Sequence, residues 1–212
     1  MLPWLIDLVL HLDRHLVELL SRYELWIYPI LFAVIFAETG LVVTPFLPGD
    51  SLLFAVGALA AVDSSGTLRA PLASLTLASA AVLGNMVNYS VGRAIGPPAF
   101  SGRYRLLKVE YLERTEEFFR RHGGLAILLS RFIPIIRTCA PFVAGVGRMS
   151  YGRFFAYNLA GGCAWVLLFL WGGYLFGNIP FVKHNFGAVT LAIIAASLVP
   201  LVVTLARRPP AA

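Results

Sequence analysis

Arg131-Phe-Ile-Pro-Ile-Ile-Arg137 decides the architecture of this chain, because it places two arginines and a proline inside an apolar run from Gly123 to Gly147. At the centre of a bilayer each guanidinium costs about 2.5–3.5 kcal/mol on insertion scales. The comparable acids in apolar runs are Glu38 and Asp50, far upstream. Four such charges would cost on the order of 10–14 kcal/mol if unpaired, as much as a typical free energy of unfolding. We therefore expect the four side chains to meet.

The composition is that of an integral membrane protein with several spans. The chain has 212 residues, of which 58% are hydrophobic and only 13% charged, whereas globular domains carry about 25% charged residues. Its mean hydropathy is +0.78, and its apolar runs have the length of helices rather than of the short alternating strands of a β-barrel. The net charge of +6 is explained by cytoplasmic loops, which collect Lys and Arg, rather than by nucleic acid binding.

Two apolar segments are broken in a way that predicts re-entrant helical hairpins, one over residues 25–62 and one over residues 123–147. Leu25–Ala37, a run of about 13 residues, is too short to cross about 30 Å of hydrocarbon at 1.5 Å per residue. Prolines and glycines then stop the helix and turn the chain. The predicted turn residues are Pro45, Pro48 and Gly49 in the first hairpin and Pro134, Pro141 and Gly145 in the second.

Each hairpin is followed by an uncharged stretch that is long enough to span a membrane, residues 70–92 and residues 154–178. Two short motifs also recur: Pro-Phe-x-x-Gly at 45–49 and 141–145, and Tyr-x-x-Gly at 89–92 and 174–177. We therefore predict two copies of a hairpin-plus-span repeat, residues 25–95 and 123–182. A single span in each copy makes the second copy start on the opposite side, so the repeats are predicted to be inverted.

The remaining segments complete an all-α membrane fold. Residues 1–24 are predicted to form an amphipathic helix in the membrane interface, because leucines recur at helical spacing among charged residues; a tightly packed membrane span is the alternative for this segment. Residues 96–122 form a basic cytoplasmic loop with a surface helix, and residues 185–208 form a C-terminal span with a basic tail. Under the positive-inside rule the two hairpins enter from opposite sides, and their tips meet near the midplane.

The four charges in apolar runs point to proton-linked transport of an anion. Arg131 and Arg137 stay charged at any accessible pH and bind phosphate bidentately. Glu38 and Asp50 can gain and lose protons. Paired, interrupted hydrophobic segments in two halves of a chain are typical of transporter binding sites. The four residues are therefore our candidate site.

Structural roles for the polar residues in apolar runs stay open beside the functional ones. Asp50 follows Pro-Gly and could be a helix N-cap, and Glu38 could form a purely structural ion pair with an arginine. Arg137 lies close to the predicted turn and could extend to the interface. Asn85 and Asn88 share a helix face, and we interpret them as interhelical hydrogen-bonding residues.

The sequence does not favour an enzyme. Its histidines lie at the edges of apolar runs or in loops, at positions 11, 15, 122 and 184. They supply neither a buried nucleophile nor a Ser-His pair at depth, and no HExxH motif occurs. Cys139 and Cys163 form no CxxC or zinc pattern, so we expect small core residues and no metal or cofactor.

Two long strings resemble the signature of the DedA family. They are Glu38-Thr-Gly-Leu-Val-Val-Thr-Pro-Phe-Leu-Pro-Gly-Asp50 and Ser130-Arg-Phe-Ile-Pro-Ile-Ile-Arg-Thr138, the latter followed by Pro141–Gly145. The resemblance implies a polytopic protein of the bacterial inner membrane with the domain shared with eukaryotic phospholipid scramblases. It also implies recycling of undecaprenyl phosphate driven by the proton motive force, and in some members phosphatidylethanolamine. The functional acids of the family match Glu38 and Asp50, and its functional arginines match Arg131 and Arg137.

Three hypotheses follow. The first is a lipid translocase that binds the phosphate headgroup of undecaprenyl phosphate or a phospholipid on Arg131 and Arg137, while Glu38 and Asp50 exchange protons. The second is a proton-coupled transporter of small solutes or cations that uses the two acids as its ion site. The third is a membrane organiser whose buried charges are only structural. We expect no nucleic acid partner, and the chain could form a homo-oligomer.

Overall fold

The computed structural model of the chain describes residues 22–41, 49–96 and 109–184, together with residues 18, 98, 188, 189 and 192. Every regular element in these ranges is a helix, and none is a strand. The all-α class is therefore confirmed for the described residues. The helix predicted over residues 1–24 and the span predicted over 185–208 lie almost entirely outside them, as do Pro45 and Pro48.

In the described residues two helices have 26 residues, four have 13 or 14, and two have five or six, and we number them in chain order. They are α1 (Ile27–Gly40), α2 (Gly49–Val62), α3 (Ala70–Ile95), α4 (Val109–His122), α5 (Leu125–Ser130), α6 (Pro134–Val146), α7 (Tyr151–Phe176) and α8 (Pro180–His184). A short 3-10 turn, Glu24–Trp26, precedes α1. Gly123, with φ of +57°, follows α4 and turns the chain into α5.

Two of these helices, α3 and α7, are long and apolar enough to cross a membrane. Each has 26 residues, which is about 39 Å of helix, against about 30 Å of hydrocarbon. The helix α3 contains the whole predicted span 70–92, and α7 covers residues 154–176 of the predicted span 154–178. The helices α1, α2 and α6 have 14, 14 and 13 residues, about 20 Å each, too short to cross alone. The re-entrant path of these short helices stays a prediction.

The chain divides into two compact units, and both long helices contribute to each of them. In the described ranges the first unit contains residues 22–36, 49–81 and 163–184, and the second contains residues 37–41, 82–96 and 109–162. The unit boundary falls after residue 81 in α3 and after residue 162 in α7. Each unit therefore combines several shorter helices with about half of each long helix.

In the first unit, glycines bring α2 and α7 into backbone contact. A Cβ atom added at Gly57 would lie 1.8 Å from the carbonyl oxygen of Leu170, and one added at Gly173 would lie 1.9 Å from that of Phe54. Both distances are far inside van der Waals contact, so only glycine fits at either position. Small residues that let helix backbones approach closely are the usual packing device in membranes, where apolar burial between helices contributes little.

In the second unit, α6 and α3 make the same kind of contact. A Cβ at Gly145 would lie 2.1 Å from the carbonyl oxygen of Tyr89, and one at Gly92 would lie 2.1 Å from that of Phe142. The contacts follow the same pattern in both units. A glycine of the short helix contacts the backbone of the long helix, and a glycine of the long helix contacts the short helix three residues before the first glycine. Thus α2 of the first predicted repeat packs on α7, the span of the second, and α6 of the second repeat packs on α3, the span of the first.

These contacts correct the repeat alignment that we predicted from motif letters. The Pro-Phe-x-x-Gly motifs paired Gly49 with Gly145, and the Tyr-x-x-Gly motifs paired Gly92 with Gly177. The packing instead pairs Gly57 with Gly145 and Gly173 with Gly92. Short motifs recur by chance in a glycine-rich apolar chain, whereas the packing contacts depend on which glycines face a neighbouring helix. The inverted orientation of the repeats stays a prediction.

Two of the predicted turn residues in the second hairpin are also corrected. Pro141 and Gly145 lie inside α6, and the turn is formed by residues 131–133. Pro134 occupies the start of α6, where a proline loses no helical hydrogen bond and its fixed φ suits the helix. Pro141 cannot donate to the carbonyl of Arg137, a defect that membrane helices tolerate when neighbouring groups satisfy the backbone. In the first hairpin, Gly49 begins α2.

We expect Gly145→Ala to destabilise the protein strongly, because its new methyl group would overlap the backbone of α3. Overpacking costs typically about 1–3 kcal/mol, and more where the obstacle is backbone; for a chain of this size 1–3 kcal/mol corresponds to a fall in melting temperature of about 2–12 °C. The measurement is thermal unfolding in detergent. Gly152→Ala is the matched control, because nothing lies within 4 Å of its added Cβ. Equal melting temperatures for the two variants would contradict the glycine contact.

Candidate functional site

A group of buried polar side chains lies in the second unit, and we call it the arginine cluster. None of its residues is more than 6% exposed. The members are Glu38 and Thr39 of α1, Asn85 and Asn88 of α3, Arg131 of the α5–α6 turn, Arg137 and Thr138 of α6, and Asn158 of α7. Three of the four residues that we predicted as the site belong to this cluster.

The last turn of α1 reaches the cluster because it packs closely on α3. A Cβ added at Gly40 would lie 3.3 Å from the Cα and the carbonyl oxygen of Gly84. This close approach places Glu38 and Thr39 beside the polar face of α3, one turn beyond Gly84. In the sequence Glu38-Thr-Gly40, the glycine therefore allows the close approach to α3 that brings the charge of Glu38 to the cluster.

Glu38 and Arg137 form a buried ion pair, with 2.7 Å between Arg137 Nη2 and Glu38 Oε1. The side chains are 3% and 7% exposed, so Arg137 is held inside the unit rather than extended to the membrane interface. Removing one partner of such a pair costs about 3–5 kcal/mol, because the other charge stays buried without compensation. The prediction that Glu38 meets one of the two arginines is confirmed by this contact.

Arg131 is held by α7. Its Nη2 donates to Asn158 Oδ1 at 2.7 Å, and the residue is only 1% exposed. Two glycines of α7 make room for the side chain: a Cβ at Gly161 would lie 3.4 Å from Arg131 Cγ, and one at Gly162 would lie 3.3 Å from Nη2. The residues of α7 next to Arg131 thus provide both a hydrogen-bond acceptor and space for its side chain.

The amide of Asn85 has two orientations that satisfy different partners. In one, its nitrogen donates to Asn158 Oδ1 at 2.9 Å. In the other, its oxygen accepts from Arg131 Nη2 at 2.9 Å and its nitrogen donates to the carbonyl of Thr39 at 3.3 Å. Because an amide nitrogen and oxygen have nearly the same shape, the choice follows from the hydrogen bonds alone. In either orientation Asn85 links α3 to a neighbouring helix.

Asn88 joins the two chain segments that carry the ion pair. Its nitrogen donates to the carbonyl of Thr138 at 2.9 Å and makes a longer contact of 3.4 Å with the carbonyl of Thr39. These two residues directly follow Arg137 and Glu38 in the chain. The interpretation of Asn85 and Asn88 as interhelical hydrogen-bonding residues is therefore confirmed, and the bonds that they make lie inside the cluster.

Asp50 lies in the first unit, in the first turn of α2. Its Oδ1 accepts a hydrogen bond of 2.8 Å from Trp165 Nε1, and Trp165 is completely buried. A carboxylate at this end of a helix is also favoured by the helix dipole. The structure therefore assigns Glu38, Arg131 and Arg137 to one unit and Asp50 to the other.

Sequence reasoning missed Asn158 and Trp165 as partners of the candidate residues. Asn158 was detectable as a polar residue in the uncharged stretch 154–178, the same signal that drew attention to Asn85 and Asn88. Trp165 carried no such signal, because a tryptophan in a membrane helix is ordinary. Its partner Asp50 lies 115 residues away along the chain.

Comparison with known proteins places the chain among bacterial membrane proteins. The VTT domain family matches residues 47–175. Protein DedA of Escherichia coli strain K12 is 48% identical over 210 residues, which cover 99% of this chain and 95% of that protein. Inner membrane protein YqjA of the same strain is 38% identical over 161 residues, covering 75% and 72% respectively. No solved structure matches the chain.

We expect the ion pair to show strong coupling in a double-mutant cycle of Glu38→Gln, Arg137→Met and the double variant. Each single change leaves one charge buried and should lower the free energy of unfolding by about 3–5 kcal/mol, whereas the double change removes both charges and should cost clearly less than the sum. Chemical unfolding in detergent measures all three. Additive effects would show that the two side chains do not interact in the folded protein.

Proposed function

This chain belongs to the DedA family of membrane proteins, and we propose that it is a lipid translocase of the inner membrane. Its cargo is a lipid with a phosphate headgroup, undecaprenyl phosphate or a related phospholipid, and its movement is coupled to protons. The observation that supports this proposal best is the presence of two buried guanidinium groups, Arg131 and Arg137, in one hydrogen-bonded cluster.

Phosphate is the ligand class that fits these groups. A guanidinium offers a rigid fork of donors that matches two phosphate oxygens, and it keeps its charge when buried. Arginine is costly inside a membrane and marks ion or substrate pathways there. The arginine cluster contains two guanidinium groups and one carboxylate, so with Glu38 ionised its members carry a net charge of +1. An anion therefore complements the cluster, and a cation does not.

The ion pair provides the coupling to protons. While Glu38 is ionised, it competes with the lipid phosphate for Arg137. A proton that binds to Glu38 removes this competition, raises the charge of the cluster to +2 and strengthens phosphate binding. Because coupling between two ligands is reciprocal, bound phosphate in turn favours the protonated form of Glu38. The lipid and the proton then bind together and leave together.

Asp50 is the second proton carrier in this proposal, located in the first unit. The indole of Trp165 donates a hydrogen bond of 2.8 Å to its carboxylate and so links α7 to α2. A carboxylate accepts this hydrogen bond more strongly than a neutral carboxyl group does, so protonation of Asp50 weakens the link between α2 and α7. The first unit would then respond to protons without taking part in phosphate binding.

A second candidate function is proton-coupled transport of a small solute or cation. The observation in its favour is that Asp50 is held by a neutral partner, Trp165, in a unit that does not contain the two arginines.

A purely structural role of the ion pair is the remaining alternative. Exchanging the charges in Glu38→Arg with Arg137→Glu tests it, since a structural pair keeps its attraction upon exchange and a phosphate site loses its geometry.

We expect Arg131→Gln and Arg137→Gln each to reduce the flipping of undecaprenyl phosphate in proteoliposomes by about tenfold or more, since each removes a charged phosphate donor. Arg153→Gln, which changes an exposed arginine of the same unit, should keep the wild-type rate. Circular dichroism and gel filtration in detergent verify that each variant is folded.

The same vesicles, prepared with and without a proton gradient, separate the alternatives. Lipid movement that depends on the gradient supports the translocase. A gradient-driven flux of soluble ions without lipid movement supports the second candidate. Wild-type flipping by both arginine variants would refute the assignment of the phosphate site.

A further inference from the structure

We propose that Asn158 is a positioning residue for the phosphate receptor: its amide oxygen orients the Arg131 guanidinium, and its neutrality leaves the charge of that guanidinium to act on the lipid phosphate. This inference rests on the proposed function and extends it to a residue outside the four predicted ones. Asn158 lies in α7, is fully buried, and makes two hydrogen bonds that hold in either orientation of the Asn85 amide.

The orientation of the Asn158 amide is fixed by its surroundings. Its nitrogen donates to the carbonyl oxygen of Val82 at 3.0 Å. A carbonyl oxygen accepts hydrogen bonds and cannot donate them, so the nitrogen must face Val82 and the oxygen must face Arg131. The oxygen accepts from Arg131 Nη2 at 2.7 Å, a short bond of the charge-assisted kind. Asn158 therefore connects Arg131 directly to the backbone of α3.

The helix α7 presents one face to Arg131. Asn158, Gly161 and Gly162 are spaced as residues on one face of a helix. The amide supplies the hydrogen bond, and the two glycines leave the space that the arginine stem and its guanidinium occupy. A hydrogen bond and a fitted space on the same helix face hold the side chain in one position, which is what a preorganised phosphate receptor requires.

An amide differs from a carboxylate at this position in one respect that matters for an anion. Both accept a hydrogen bond from the guanidinium, but a carboxylate would also neutralise it, as Glu38 does for Arg137. A second carboxylate would make the charges of the arginine cluster sum to zero while Glu38 is ionised. The neutral amide orients Arg131 without competing with phosphate for its charge. A merely structural role needs only the hydrogen bond, whereas the positioning role also needs the side chain at position 158 to be neutral. A change of charge at this position therefore distinguishes the two roles.

The test compares Asn158→Asp with the matched control Asn178→Asp. Asn178 likewise donates its amide nitrogen to a backbone carbonyl, that of Ala58, at 3.0 Å, so both variants lose one such bond. We expect Asn158→Asp to stay folded and to raise KM for undecaprenyl phosphate in the proteoliposome assay by about tenfold or more, with a smaller effect on kcat, because a negative charge at an anion site weakens binding. Asn178→Asp should keep the wild-type KM.

A second pair of variants tests the position of Arg131 without changing any charge. In Gly162→Ala the added methyl group meets Arg131 Nη2 at 3.3 Å and Val82 Cγ2 at 3.0 Å, whereas nothing lies within 4 Å of the one added in Gly172→Ala. We expect KM to rise in Gly162→Ala and to stay unchanged in Gly172→Ala. This pair also decides the question if Asn158→Asp does not fold.

The outcomes separate the inference from the function on which it rests. A wild-type protein that moves no phosphate lipid overturns the proposed function. A wild-type protein that moves it, while Asn158→Asp and Gly162→Ala have the same KM as their controls, overturns only the positioning role. A fall in kcat with unchanged KM in folded Asn158→Asp also overturns it, because that pattern indicates a structural effect that does not depend on the phosphate.

Discussion

The buried ion pair between Glu38 and Arg137 is the interaction on which the second unit depends. It joins the last turn of α1 to α6 across 99 residues of sequence, and neither charge can be removed alone without leaving the other buried in a medium of low dielectric constant. Asn88 strengthens the same junction through the carbonyl groups of Thr39 and Thr138. The two chain segments that carry the candidate phosphate site are thus held together by the groups that are proposed to act on the phosphate.

This polar junction is possible because the surrounding helices approach one another through glycine. Lipid tails are as apolar as leucine side chains, so burial of apolar surface gives membrane helices little reason to associate. Close backbone contact supplies dispersion attraction instead, and in this chain it occurs between α6 and α3 in one unit and between α2 and α7 in the other. Such packing sets the height of each helix against its neighbour, because a shift of one residue would replace a glycine by a larger side chain. The position of Arg137 along α6 follows from this register.

The features that could be predicted from the sequence were those that one segment determines by itself. The spans follow from uninterrupted apolar length, and the burial of Glu38, Asp50 and the two arginines follows from the cost of exposing charge to lipid in a membrane. Pairings between segments could not be predicted in the same way. The sequence does not specify that Arg137 meets Glu38, that Asn158 supports Arg131, or that Trp165 donates to Asp50, because these contacts depend on which helix faces are brought together. The repeat alignment failed for the same reason: the letters of two motifs matched, but the packing pairs Gly145 with Gly57 rather than Gly49, and Gly92 with Gly173 rather than Gly177.

The partners of the candidate residues differ in charge, and the proposed function gives this difference a physical meaning. Arg137 meets a carboxylate, and α7 contributes a neutral hydrogen-bonding group to each of the other two residues, the amide of Asn158 to Arg131 and the indole of Trp165 to Asp50. A site that binds an anion and then releases it needs one contact that can be switched and others that stay in place. The ion pair is the contact that a proton can switch, because protonation of Glu38 changes its attraction for Arg137 by a full charge. A hydrogen bond from a neutral group orients its partner and changes little when the lipid arrives. In the proposed mechanism, α7 thus orients the side chains, and Glu38 competes with the phosphate for positive charge.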